Sequence, residues 1–141
     1  MTGYVDTSAL AAYYCPEALS PAVDRLLRKL DPPTISPLVE VEMHSALALK
    51  VRQREIDATA ASRILAQFRM HLSDSLYRHV PIAAREYALA CDWIARFTAP
   101  LRALDGLHLA AAFANDLQLL TTDRRLAQSA KLFGVDCKLI G

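Results

Sequence analysis

The chain is poor in glycine, has no paired cysteine pattern, and lacks any long apolar run, and each shortage removes a class of function. Only four glycines occur in 141 residues, at positions 3, 106, 134 and 141. No Gly-rich loop is therefore present to cradle the phosphates of a nucleotide or dinucleotide. Cys15, Cys91 and Cys137 are odd in number and far apart, with no Cys-x-x-Cys spacing. That excludes a cysteine zinc site and a redox pair, and leaves buried free thiols in a reducing compartment as the expectation. The longest apolar stretch, Leu107 to Ala114, is interrupted by His108 and falls far short of the ~20 residues that cross a bilayer. No membrane partner is expected. The N-terminus has no basic region and puts Asp6 where a signal peptide would be apolar, so a cytoplasmic protein is expected. An excess of one charge is missing too: sixteen basic residues against fifteen acidic give +1. The bulk balance thus argues neither for nor against a nucleic-acid partner.

What is present points to one helix-rich globule. Hydrophobic residues make up 53% and charged residues 22%, which argues against disorder. A chain of this size forms a single domain, 1–141, that buries about two-thirds of the surface its unfolded form exposes. Gly3-Tyr4-Val5 is short, apolar and β-prone, and Asp6-Thr7-Ser8 supplies cap-type residues before a helix from Ala9 to Tyr14. Ser20-Pro21 opens a second helix reaching Leu30, and Thr34-Ile35 is a strand leading into Ser36-Pro37 and a helix to about Arg52. Asp57 is the expected cap of a helix from Ala58 to about Leu76, with Ile64, Leu65, Phe68 and Leu72 at helical spacing. Pro81 marks the start of a helix from Ile82 to Phe97, whose core stripe reads as Tyr87, Cys91 and Ile94 with Ala90, Trp93 and Phe97 beside them. Leu104 to Asn115 reads as a buried helix, Leu117 to Thr121 as a buried strand, Asp123 to Phe133 as a helix stopped by Gly134, and Val135 to Ile140 as a last strand. Strands separated by helices imply crossover connections, hence a three-layer α/β/α fold with a short, mainly parallel sheet and helices on both faces.

Four acids fall where such a fold would gather them. Asp6 closes the first strand, Glu42 lies in the early turns of the helix after Ser36-Pro37, Asp105 opens the helix through Leu107-His108-Leu109, and Asp123 follows Leu119-Leu120-Thr121-Thr122. In parallel α/β sheets ligands bind beyond the carboxyl ends of the strands, and positive helix N-termini there ease the gathering of negative charge. Glu42 shares a helical face with Ala46 and Leu49 at i+4 and i+7, which reads as an acid on a core-facing stripe. Carboxylates that converge without a basic partner repel one another, and Mg²⁺ or Mn²⁺ is the expected neutralising ion. Such an ion takes oxygen ligands, keeps several waters and completes its shell with substrate phosphate, so phosphodiester hydrolysis is the natural reaction class.

The same residues resemble a known family. Tyr4-Val5-Asp6-Thr7-Ser8-Ala9-Leu10, Ser36 with Glu42 six residues on, Leu104-Asp105-Gly106-Leu107-His108-Leu109-Ala110-Ala111-Ala112, and Leu119-Leu120-Thr121-Thr122-Asp123-Arg124-Arg125-Leu126-Ala127 are similar, in order and over nearly the whole chain, to the PIN domain. The likeness is greatest to the VapC-type ribonuclease toxins of prokaryotic toxin–antitoxin pairs. It implies a Mg²⁺- or Mn²⁺-dependent endoribonuclease, with Asp6, Glu42, Asp105 and Asp123 as catalytic acids and metal ligands. Thr121 would be the family's hydroxyl that orients a carboxylate or a water, with Ser8 in a similar part. Arg102 and Arg124 are the expected RNA contacts. The resemblance also implies a cognate VapB-type antitoxin whose C-terminal segment covers the crevice, and a homodimer. Gly106 stands where family members often carry Ala, and in a helix Gly costs ~1 kcal/mol relative to Ala.

Plainer readings stand beside these. Asp6, Asp105 and Asp123 could each be only a helix cap, and Glu40 competes with Glu42 two residues away. Arg124 could equally be part of a solvated helix face, as Arg52 and Arg54 are expected to be. His108, at i+3 from Asp105, reads as a packing residue outside the ligand set, and Asp116 as a loop acid. The stripes Leu26/Leu27/Leu30 and Ala46/Leu47/Leu49 could form a groove for a partner helix or the domain's own core. The rival functions are a catalytically silent PIN-like module that binds RNA or protein, and a phosphoacceptor receiver domain; the latter lacks its second acid beside Asp6.

Overall fold

In the computed structural model, residues 2–141 are described. The strands are β1 (Gly3–Val5), β2 (Thr34–Ile35), β3 (Arg78–His79), β4 (Gln118–Thr121) and β5 (Cys137–Leu139). Between them run α1 (Thr7–Tyr14), α2 (Ser20–Leu27), α3 (Pro37–Arg52), α4 (Ala58–Ser73), α5 (Ala84–Ile94), α6 (Ala103–Ala114) and α7 (Arg124–Leu132). The sheet order is β3-β2-β1-β4-β5 and every pairing is parallel. Parallel neighbours need crossover connections, and helices supply all of them. The central pair is β1 with β4, in the register Gly3↔Gln118, Tyr4↔Leu119 and Val5↔Leu120. Both of its strands are buried, as a sheet covered on two faces requires.

Helix starts follow local capping. Asp6 is extended at φ −77°, ψ 172°, and its side chain accepts from Ala9 N, so α1 begins at Thr7, two residues earlier than the apolar pattern suggests. Asp57 caps α4 through Ala60 N as expected, and Asp123 caps α7 through Arg125 N and Leu126 N. Pro21 and Pro37 sit in the first turns of α2 and α3, where a missing N–H costs nothing. At the other end, α2 stops at Leu27 and α4 at Ser73, short of the expected Leu30 and Leu76.

Several expectations are corrected. Strand β3 is absent from the sequence reading because Arg78 and His79 are polar and exposed. Val80 N still donates to Ile35 O at 3.0 Å, so the pairing runs up to Pro81, which ends the strand instead of opening a helix. The apolar stripe of α5 is corrected in part: Ala90 and Trp93 face inward as expected, but Tyr87 is 55% and Phe97 89% exposed, Cys91 is exposed, and Glu86 takes the inward place. Glu86 is drawn in because its carboxylate accepts from Ala83 N at 3.2 Å and from Arg85 Nε at 2.9 Å. On α3 the buried face is Val39, Met43 and Leu47, while Leu49 is exposed. Glu42 therefore flanks the core face instead of sharing it with Ala46 and Leu49, and Leu26, Leu27, Leu30 and Leu47 are internal and form no outer groove. Of the cysteines only Cys15 is buried; Cys91 is exposed and Cys137 intermediate.

Gly106 has a packing reason. A Cβ built there would come within 3.2 Å of Ala90 Cβ and 3.4 Å of Ile94 Cδ1, so the missing side chain lets α5 and α6 close on each other. Aromatic packing anchors the opposite side, where Phe68, fully buried, meets Tyr14 at 5.4 Å and Tyr77 at 6.1 Å between ring centroids, both edge to face. Phe68→Ala is expected to cost about 3–5 kcal/mol. Phe97→Gly, at an exposed position with φ 55°, should leave stability unchanged or raise it by up to about 1 kcal/mol. Chemical denaturation of the two variants separates these outcomes, and equal losses would mean that the inward face of α5 is misplaced.

Candidate active site

The four acids reach the carboxyl end of the sheet by different routes. Asp6 directly follows β1 and its N–H extends the ladder to Leu120 O at 3.1 Å; Asp123 stands just past β4; Glu42 is on α3 and Asp105 in the first turn of α6. Parallel strands put the ends of β1 and β4 on the same side, and α3 and α6 start from that side.

Asp6 is 3% exposed. Its Oδ1 accepts from Ser8 Oγ at 2.8 Å and Ala9 N at 3.0 Å, and its Oδ2 from Thr121 Oγ1 at 2.6 Å. Three of about four lone-pair positions are thus taken, and the remaining one belongs to Oδ2. Thr121 also accepts from Asp123 N at 3.0 Å, so this one hydroxyl links two of the acids. Ser8 Oγ in turn accepts from Thr122 N at 3.1 Å. Both hydroxyl hydrogens are committed to Asp6, which makes the 3.1 Å approach of Ser8 Oγ to Thr121 Oγ1 a contact rather than a further bond.

Glu42 is held by groups outside the expected set. Its Oε1 accepts from Thr7 Oγ1 at 2.6 Å and from His108 Nε2, while no described residue hydrogen-bonds Oε2. The second ring nitrogen of His108, Nδ1, lies 2.8 Å from Tyr4 Oη, which lies 2.7 Å from Ser36 Oγ. His108 is thus buried, as expected of a packing residue, but both its nitrogens are engaged and one of them grips an acid. Tyr4, Thr7 and Ser36 were not singled out for this part. The signals were local: Tyr4 and Asp6 are two apart on an extended segment and face the same way, and His108 is one helical turn beyond Asp105. Glu40 pairs instead with His79 Nε2 at 3.2 Å, away from this cluster.

Asp105 Oδ2 lies 3.7 Å from Arg102 Nε, a loose ion pair whose arginine is 83% exposed. Asp123 uses Oδ1 alone to cap α7. Arg124 is the first residue of α7 and exposed. Arg102 and Arg124 therefore project near the starts of the two helices that carry Asp105 and follow Asp123. Ser8 and Thr121 stand where a supporting hydroxyl is needed, and Asp116 lies in a turn after α6, apart from the acids.

The electrostatics differ from acid to acid. Burial pushes the Asp6 carboxyl above the usual carboxylate range, against the pull of the bonds from Thr121, Ala9 and Ser8. Burial also raises Asp105; Arg102 opposes it, while the charges of Asp123 and Glu42 add to it. For Glu42 burial acts upward as well, but the bonds from His108 and Thr7 and the charge of His108 prevail and hold it low. No three His, Cys, Asp or Glu side chains among the described residues are closed into a ligand cage. The donor set nevertheless suits a hard cation. It is all oxygen, three acids keep an oxygen without a hydrogen-bond donor, and Asp105 is raised first by burial and then by the charges of Asp123 and Glu42, against the charges of Arg102 and His108.

A family model described as the PIN domain matches residues 3–132. No curated protein sequence matches the chain. Among solved structures, the chain is similar to FitAcB from Neisseria gonorrhoeae at 18% identity and TM-score 0.71, over 97% of this chain and 96% of that one. It is similar to VapC20 of Mycobacterium tuberculosis, a toxin that cleaves the sarcin-ricin loop, at 20% identity and TM-score 0.69, over 92% and 95%. VapBC2 from Rickettsia felis, bound to a fragment of its promoter DNA, matches at 13% identity and TM-score 0.70 over 100% of both chains. At these identities the likeness is one of fold.

The raised value of Asp105 has a sign. Its folded pKa lies above the unfolded one, so its contribution to stability is present below the ordinary carboxylate range and is lost as pH rises through the raised value. In chelator-treated protein, Asp105→Asn should therefore raise Tm at neutral pH and lose that advantage near about pH 4. Glu42 is lowered and behaves oppositely, its stabilisation being present at neutral pH and lost as pH falls through the lowered value, so Glu42→Gln should lower Tm at neutral pH. Melting curves across this range check both, and shifts of equal sign would mean that the two acids share one environment.

Proposed function

The chain belongs to the PIN-domain family, and on that premise we propose that it is a Mg²⁺- or Mn²⁺-dependent endoribonuclease acting as the toxin of a toxin–antitoxin pair. The observation that carries this reading is the set of four acids at the carboxyl end of the sheet, with Thr121 tying Asp6 to Asp123 and Asp105 raised by burial and, beyond that, by the charges of Asp123 and Glu42. Asp6, Glu42, Asp105 and Asp123 would hold the cation. When bound, it supplies Lewis-acid polarisation of a phosphoryl oxygen and makes a nearby water more acidic. Everything else falls to the chain. Thr121 and Ser8 fix both oxygens of Asp6, so that carboxylate meets its ligand without reorganising. Arg102 and Arg124, exposed beside the acids, offer forked donors to the flanking phosphates of an RNA strand.

The partner belongs to the same proposal. Several structures of similar fold are complexes, among them VapBC2 from Rickettsia felis and FitAB bound to a DNA fragment. A VapB-type antitoxin with an arginine in its C-terminal segment could pair with the acids and compete with the cation for the same negative charge. Homodimerisation through a helical surface is part of this reading, as is a cytoplasmic location, which suits an RNA substrate. No described helix is long and apolar enough to cross a membrane.

Asp6→Asn or Asp105→Asn keeps shape but removes charge, and each is expected to cut RNA cleavage by at least ~10²-fold. Chelation should stop the wild-type protein, Mn²⁺ should restore it, and Mn²⁺ should raise its Tm by mass action while leaving the acid variants unmoved. Full cleavage by purified Asp6→Asn protein, or activity that survives EDTA, defeats the proposal. In cells, expression of the chain alone should arrest growth, the cognate antitoxin should relieve the arrest, and Asp6→Asn should be harmless. Normal growth with folded wild-type protein and no partner would favour the silent-module reading.

A further inference from the structure

The acids account for the proposed chemistry, yet they leave a buried polar line without a use. Ser36 at the N-terminus of α3, Tyr4 on β1 and His108 on α6 are each no more than 3% exposed. Their polar atoms run in sequence from Ser36 Oγ to Tyr4 Oη at 2.7 Å, on to His108 Nδ1 at 2.8 Å, and from His108 Nε2 to Glu42 Oε1. Burying such groups is costly unless every one is bonded, and an apolar core would avoid the cost altogether. Every buried side-chain nitrogen and oxygen among the described residues has a partner, so the line is complete.

We propose that Tyr4 and His108 are positioning residues that fix which oxygen of Glu42 faces the cleft, and through it the affinity of the four acids for a divalent cation. This rests on the metal-dependent reading above. Hydrogen accounting gives the line a direction at its functional end. An ionised carboxylate only accepts, so His108 Nε2 must carry a hydrogen, and the tautomer with a bare Nε2 is excluded. Thr7 donates to the same oxygen at 2.6 Å, so Oε1 has two donors and Oε2 none. Glu42 is thereby split into an anchored oxygen and an available one. The anchor holds only while the imidazole keeps its orientation. Tyr4 Oη on Nδ1 provides that constraint, because a ring flip would set carbon atoms against both Tyr4 and Glu42. With the ring buried, water cannot replace a lost partner. Groups that hydrogen-bond a ligating side chain in this way set metal affinity without touching the metal.

The test uses Mn²⁺ alone, titrated calorimetrically into the full chain. Tyr4→Phe is expected to weaken binding by ~10-fold or more, and His108→Leu further, within the ~10- to 100-fold range for such supporting groups. His108→Gln, which can still offer an N–H to Glu42, should recover part of the loss. Cleavage by Tyr4→Phe should fall at limiting Mn²⁺ and return toward wild type at saturation, a response that a general loss of stability would not give. In NMR spectra of the metal-free protein, the His108 Nε2 proton should be a slowly exchanging low-field signal that broadens in Tyr4→Phe. If His108→Leu fails to fold, Tyr4→Phe and the spectrum decide. Folded Tyr4→Phe protein that binds Mn²⁺ as the wild type does, while Glu42→Gln weakens it, overturns this inference and leaves the nuclease reading intact. Absence of Mn²⁺ binding by the wild type overturns both.

Discussion

The pairing of β1 with β4 is the constraint from which the site follows. Three residues of parallel register, extended by Asp6 N on Leu120 O, place the ends of two buried strands side by side. A parallel neighbour cannot be reached by a hairpin, so the chain between them must cross over, and α3 and α6 are brought to the same end of the strands by that crossing. Asp6 and Thr121 are then close enough for a 2.6 Å hydrogen bond, and the hydroxyl that makes it also receives Asp123 N. Shift the register by one residue and Thr121 would turn to the other face of the sheet, taking the bond to Asp6 with it.

Three of the four acids are fixed by hydrogen bonds of the fold before any ligand arrives, each by a different means, and the fourth is held loosely. Asp6 is clamped on both oxygens, Asp123 is a helix cap with one oxygen spare, Glu42 is anchored through a histidine and a threonine, and Asp105 leans on an exposed arginine. The capping role and the functional role therefore coincide. Asp6 and Asp123 satisfy helix N-termini as ordinary caps do, and the remaining lone pairs are what a cation could use. The unequal electrostatics have the same origin, since the two acids raised by burial, Asp6 and Asp105, sit beside one that strong donors hold low.

Much of this was readable from residue order, because strands of continuous apolar residues and helices opened by Asp or Ser-Pro leave strong local marks. The mainly parallel sheet, which is parallel throughout, and the place of Asp6 and Asp123 just past their strands, with Thr121 at the end of β4, came from those marks. Strand β3 left none: Arg78 and His79 are held by pairing with β2 and by nothing in their own pattern. The inward face of α5 was obscured because a glutamate occupies it, recruited by Ala83 N and Arg85, while Tyr87 and Phe97 face outward. His108 was seen but assigned to packing alone. Its bond to Glu42 joins residues 66 apart in sequence, a relation that helical spacing cannot express.

The edges of the sheet carry a different consequence. On one side stands β3, two exposed residues long, with Arg78 and His79; on the other stands β5, three residues long, with Lys138 outward. Neither offers a row of unpaired backbone groups long enough to template a strand from another molecule, and the basic side chains discourage the approach. The folded chain is thereby protected from strand-linked polymerisation at high concentration. Association between copies is left to the helical surfaces, where it can be specific and can end.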